Sequence, residues 1–188
     1  MAPTLAEEFG ITLVEPPDDW LPRLPDEYRQ RAVRLTTLGE ARTNPNPRFV
    51  KPPNDKSFTA GVCRGEDLPK EFPDDMPVLV AEVVKWQKEF RCFILDRQLQ
   101  TFSIYLRDGV LQKENGFASS DEEDAEVSAF VNRVLADPRV ELPKAVVMDI
   151  GVIDGRGWAV VELNAAWASG LYGCDEAKVL EVLRHAKA

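Results

Sequence analysis

Hydrophobic and polar positions along the chain follow two rhythms. Short apolar runs and alternations with period two predict strands at Arg48–Lys51, 57–63, 78–84, 90–95 and 99–106. The last two flank Asp96-Arg97-Gln98 and predict a hairpin. Asp108-Gly109 is a further turn signal. Towards the C-terminus, Ala145–Ile153 and 158–163 flank Asp154-Gly155-Arg156-Gly157 and predict a second long hairpin.

Helical rhythm is confined to three places. Residues 119–136 open on Ser and Asp with an acidic first turn and stop at Asp137-Pro138. Val127, Phe130, Val131, Val134 and Leu135 share one face of that helix. The acids at 121–124 suit the helix dipole and read as a solvated start. A final helix is expected from Asp175, and a short one over 26–38, closed by Gly39. Residues 1–46 are otherwise rich in Pro, Asp and Arg with weak periodicity, and read as an N-terminal flank. No internal repeat is visible. Hairpins mixed with helices predict an α+β fold built on antiparallel sheets.

Composition narrows the function classes. At 188 residues the chain suits one domain with at most a small appendage. Lys plus Arg is 23 and Asp plus Glu is 32, a net charge of -9. No broad basic surface for nucleic acid is expected, although a nucleotide needs only a few local cations. No apolar run is long enough to span a membrane, and no basic-then-apolar leader opens the chain. Cys63, Cys92 and Cys174 are too few for a disulfide framework, which fits a reducing cytoplasmic setting. His185 is the single histidine, so histidine triads and multi-histidine metal sites are not expected.

The last hairpin carries the sharpest chemistry. A turn centred on Gly155-Arg156 sets Ile153 opposite Trp158 and Asp149 opposite Glu162, with Asn164 one step further on the same face. Like charges directly opposed on a sheet repel. Two carboxylates and an amide converging there either face solvent or hold a cation. Their all-oxygen character selects Mg²⁺ or Mn²⁺. The apolar flanks VVMDIGVI and WAVVELN favour the cation.

Two other segments bear on phosphate and nucleoside. Lys51 closes the run FVKP and is followed by NDKSFTAG, where Lys56, Ser57 and loop N–H groups offer charge and donors. The sequence is not a P-loop, and Lys56 also reads as an ordinary exposed lysine. Glu82-Val83-Val84 ends an apolar strand whose backbone suits an adenine edge. Glu89, seven residues on, is a carboxylate for ribose hydroxyls, and Arg91 shares its face. An ordinary buried strand with a charged turn reads equally well there.

Together these features resemble the ATP-grasp superfamily of carboxylate–amine ligases, over about residues 48–188. Lys51 resembles its first phosphate-contacting lysine, and 54–61 its closing loop. Glu82, Val83 and Val84 resemble its adenine-reading hinge, and Glu89 its ribose acid. Asp149, Glu162 and Asn164 resemble its magnesium set, with separations of thirteen and two residues. DIGV and VVELNAAWASGLY look like a small clade named for an arginine-to-lysine replacement. The loop lacks the usual run of glycines.

The resemblance implies an ATP-grasp fold of two small lobes, antiparallel sheets with flanking helices, that clasp the nucleotide. It divides the chain into a flank at 1–46, a lobe at about 47–82 and a lobe at about 83–188. It implies ATP and Mg²⁺ or Mn²⁺ as cofactors. The activity implied is amide or peptide-bond formation through an acylphosphate, with release of ADP and phosphate. Lys51, Lys56 and Arg91 would neutralise phosphate, and Arg107 would meet the acylphosphate or substrate carboxylate, unless it is a surface arginine beside Asp108-Gly109. Trp167, Ser169 and Tyr172 line an acceptor pocket or pack the core. The expected partners are a small-molecule or peptide carboxylate and an amine, with no nucleic acid and no membrane. The short flank leaves room for a homodimer or partner protein to complete the substrate site. Phosphoryl transfer to a non-amine acceptor and a non-catalytic nucleotide-binding module are the alternatives.

Overall fold

The computed structural model describes residues 2–187. In chain order it contains α1 (Ala2–Glu8), α2 (Trp20–Arg23), α3 (Asp26–Arg29), β1 (Val33–Thr37), α4 (Leu38–Arg42), β2 (Arg48–Lys51), β3 (Gly61–Cys63) and β4 (Pro77–Ala81). There follow β5 (Trp86–Leu95), β6 (Gln98–Arg107), β7 (Val110–Leu111), α5 (Asp121–Ala136), β8 (Ala145–Ile153), β9 (Gly157–Ala165) and α6 (Glu176–Arg184). Two compact units form: Pro17–Val84, and the described residues up to Pro16 with those from Lys85 onward. Among the described residues, no helix is long and apolar enough to cross a membrane.

The unit Pro17–Val84 holds an antiparallel sheet in the order β1-β4-β2-β3. β4 is central and its residues from Val78 to Ala81 are buried, as expected for a strand covered on both faces. Leu38, Ala41, Val50, Leu68, Val78 and Val80 form its core, with Phe58, Phe72 and Met76 packed against them. The helix expected over 26–38 is corrected here. It ends at Arg29, because Gln30 takes a left-handed conformation with φ 52°. The β-branched Val33, Thr36 and Thr37 then extend as β1 and pair with β4. Residues 17–46, read as flank, thus supply part of this sheet and its helices. The strand expected over 57–63 is only the three residues of β3.

The second unit is a sheet in the order β7-β6-β5-β8-β9, antiparallel throughout. Asp96 and Arg97 join β5 to β6 with φ of 48° and 60°, the twist that a tight hairpin requires. The helix α5 is capped reciprocally at its start, Ser120 and Glu123 each accepting the other's backbone N–H. At its end, Arg97 donates to the carbonyls of Leu135, Asp137 and Val140. One face of the sheet meets α5: Trp158 lies against both Phe90 and Phe130. The opposite face meets α6, where Phe93, Val147, Val179 and Val182 share a core.

Four register shifts decide which side chains reach which face. Each leaves one extra residue in a strand, which reverses the alternation beyond it. The extra residues are Gln87 in β5, Gln100 and Tyr105 in β6, and Val161 in β9.

Candidate functional site

Val161 is what brings the acids together. Trp158 and Val160 face α5, pairing with Val152 and Ile150. Simple alternation would send Glu162 and Asn164 to that same apolar face. The extra residue turns them over, so that Glu162 stands opposite Asp149 and Asn164 opposite Val147. The expected pairing of Asp149 with Glu162 is observed. The expected pairing of Ile153 with Trp158 is not: Ile153 pairs with Gly157. The shift lies between the turn and the acids.

Asp149 has no exposed surface. Arg91, directly opposite it on β5, grips both of its oxygens: Nε to Oδ1 at 3.0 Å and Nη2 to Oδ2 at 2.7 Å. The Asn164 amide donates to Asp149 Oδ2 at 3.2 Å and to Glu162 Oε1 at 3.0 Å. Burial opposes the Arg91 charge, but the hydrogen bonds and charge of Asp149 outweigh it and raise its pKa. The guanidinium is therefore a permanent cation inside the site.

Tyrosines close the cluster on the same face. Arg91 lies over the Tyr172 ring at 4.8 Å and over Tyr105 at 5.5 Å. Those two rings stack at 5.4 Å. Tyr105 donates its hydroxyl to Glu89 Oε2 at 2.9 Å, which ties Glu89 to the cluster. Burial, then the charges of Asp149, Glu89 and Glu162, push the Tyr105 phenol far up, so it stays protonated. The segment behind Tyr172 is fastened to the sheet. Gly170 O accepts from Arg91 at 3.2 Å, Tyr172 O accepts from Ser103, and Thr101 accepts from Asp175 N at 3.1 Å.

The expectation for Arg107 is corrected. Tyr105 is an extra residue of β6, so Arg107 turns to the α5 face, opposite to Arg91 and Asp149. There it forms a two-pronged pair with Glu123, at 2.8 and 2.7 Å, and Lys88 reaches the same carboxylate at 3.2 Å. Chiefly through the Arg107 hydrogen bonds, the Glu123 pKa falls to about 2. Glu123 was expected among solvated helix-start acids; it is instead a half-buried anchor. Arg107 is read here as a structural residue.

The remaining residues lie in Pro17–Val84. Lys51 ends β2 opposite Leu79. Lys56 is exposed in the loop between β2 and β3. Ser57 beside it is held by Asp55, which accepts its N–H at 2.8 Å and its hydroxyl. Glu82 pairs with Ala32 through its backbone N–H at 2.9 Å and its carboxylate at 3.3 Å. Val83 is exposed, and the division of the chain into its two units follows Val84. In the second unit, Trp167 packs against the α6 core, and Ser169 donates to Ala165 O at 2.9 Å.

Two carboxylates and an amide can serve a hard cation once the Asn164 amide turns its oxygen inward, a rotation of the terminal group alone. All the donors are then oxygens, and the guanidinium already held there shows that the pocket stabilises positive charge. Among the described residues no cluster of three or more His, Cys, Asp and Glu gathers elsewhere.

The fold and this pairing of acids define the ATP-grasp class. Residues 28–182 match the family described as an ATP-grasp domain, family 2 of the clade named for an arginine-to-lysine replacement, and the chain belongs to that family. No curated protein matches it. Among solved structures it is similar to the D-alanine–D-alanine ligase from Bacillus anthracis, at 16% identity over 90% of this chain and 65% of that one, with a TM-score of 0.55. The same ligase complexed with ATP gives 16% identity over 86% and 60%, with a TM-score of 0.50. A Chryseobacterium gregarium RiPP-associated ATP-grasp ligase, complexed with ADP and a leader and core peptide, gives 12% identity over 92% and 52%, with a TM-score of 0.44. The chain spans about three fifths of the length of the solved structures it matches.

Proposed function

We propose that the chain catalyses ATP-dependent joining of a carboxylate to an amine. The observation that carries this reading is Asp149 opposite Glu162, with Asn164 hydrogen-bonded to both, on one face of an ATP-grasp sheet. Asp149, Glu162 and Asn164 would hold Mg²⁺, which neutralises phosphate charge. Glu89, fixed by Tyr105, would accept ribose hydroxyls, and the Glu82-Val83-Val84 backbone would meet the adenine edge. Lys51, Lys56 and Ser57 would contact phosphate.

The chemistry is positioning and charge neutralisation. A substrate carboxylate oxygen bonds to the γ-phosphorus as the bond to the ADP oxygen breaks. The amine nitrogen then bonds to the acyl carbon, phosphate leaves, and the nitrogen gives up a proton. The substrates are a small-molecule or peptide carboxylate and an amine, with a cytoplasmic setting and a second copy or partner protein completing the site as part of the same proposal.

Incubation with Mg²⁺, ATP and pooled carboxylates and amines tests it. The expected result is ADP released in step with an amide of the summed substrate masses less water. A phosphorylated acceptor without amide would contradict it.

A further inference from the structure

We propose that Arg91 is the resident cation of the acid pair, and that a divalent cation reaches Asp149 only by displacing its guanidinium. The proposal rests on reading Asp149, Glu162 and Asn164 as cation ligands.

The argument begins with access. Asp149 has no surface open to solvent, and Arg91, itself 8% exposed, covers both carboxylate oxygens. A cation arriving from solvent must take the place that the guanidinium fills. Charge leads to the same conclusion. Two opposed carboxylates repel, and the permanent positive charge of Arg91 relieves that repulsion without a metal. A divalent cation at the same oxygens would stand within a few ångströms of the guanidinium, in a buried setting where like charges repel strongly. The two cations are thus alternatives.

The exchange is coupled to the tyrosine-bearing segment. Arg91 donates to Gly170 O and lies over Tyr172, so its departure releases two of the holds on that segment. Ser103 still holds the Tyr172 carbonyl and Thr101 the Asp175 N–H. The freed guanidinium becomes available to an anion, so cation binding would also arm Arg91 for phosphate.

Mn²⁺ binding, followed by the loss of the free-ion electron paramagnetic resonance signal, tests this on the full chain without nucleotide. Arg91→Ala should bind Mn²⁺ at least about tenfold more tightly than wild type. Removing the guanidinium leaves Asp149 an uncompensated buried charge that a cation relieves. Arg91→Lys should fall between them, because an ammonium cannot grip both oxygens. It also keeps the charge, and so serves if the alanine variant does not fold.

Equal or weaker Mn²⁺ binding by folded Arg91 variants would overturn the proposal. Calorimetry with Mg²⁺·ATP separates the two failures. Nucleotide binding that depends on Glu162, alongside unimproved Mn²⁺ binding, would leave the cation ligands standing and remove only the exchange. Nucleotide and Mn²⁺ binding indifferent to Glu162→Gln would remove both.

Discussion

Arg91 and Asp149 stand directly opposite on β5 and β8, and two hydrogen bonds of 3.0 and 2.7 Å close the guanidinium onto the carboxylate. The pair is buried, and its neighbours Glu162, Asn164, Glu89 and Tyr105 extend it into one polar network on an otherwise apolar sheet. Breaking one side of such a pair is costly, whereas exchanging its cation is not.

Glu162 contributes charge to that network from a partly exposed position on β9. Glu162→Gln keeps its shape and its acceptor for Asn164 while removing the charge. Magnesium-dependent turnover should fall about 100-fold or more, with a change in melting temperature of only a few degrees. Steady-state kinetics at several Mg²⁺ concentrations beside a thermal melt check this. Unchanged turnover would mean that Glu162 holds no metal.

Glu123 makes stability depend on acid. Its pKa lies at about 2 in the folded chain against an ordinary value of 4.5. The folded form therefore binds its proton more weakly than the unfolded form. The stabilisation is fully present above about pH 4.5 and is lost as pH falls towards 2. Glu123→Gln should lose roughly 2 kcal/mol at neutral pH, through the helix cap and the Arg107 pair. Its stability should also be flatter than wild type below pH 4.5. Urea unfolding across that range is the measurement.

Arg97 holds the far end of the same helix by collecting three carbonyls at and beyond its last turn. Arg97→Ala strips those carbonyls of their donor and should cost about 1–2 kcal/mol in urea unfolding. Nucleotide affinity should be unchanged, since the guanidinium serves α5 and not the acid face.

Gly173 sits at φ 81°, and a Cβ there would lie 2.6 Å from Phe117 Cβ. Gly173→Ala should destabilise by roughly 2 kcal/mol. It should also loosen Tyr172 beside it, read as faster amide hydrogen exchange at 170–174.

Much of this was legible in the sequence because strands and caps act locally. Arg48–Lys51 and Ala145–Ile153 have the expected bounds, and Ser120 caps α5 within one residue of the expected start. Asp149 and Glu162 pair as turn counting predicts. They do so because the register shift at Val161 offsets a one-residue error at the turn, where Gly157 and not Trp158 meets Ile153. The same kind of shift defeated the reading of Arg107. Nothing in SIYLR marks Tyr105 as an extra residue, and strict alternation put Arg107 with the acids. Tyr105 itself was missed because a tyrosine in an apolar strand reads as core; its link to Glu89 needs the register of two strands. β1 was misread because the short α3 and the strand that follows are separated by a turn at Gln30, whose left-handed conformation has no sequence marker as strong as glycine.

The central claim is that the Asp149–Glu162 face serves Mg²⁺ and ATP. Titration calorimetry of ATP in the presence and absence of Mg²⁺, on wild type and on the Asp149→Asn, Glu162→Gln double variant, tests it most directly. Magnesium-dependent binding by wild type that is lost in a folded double variant is the expected result. Binding that is absent in wild type at every Mg²⁺ concentration, or that survives in the double variant, would contradict it.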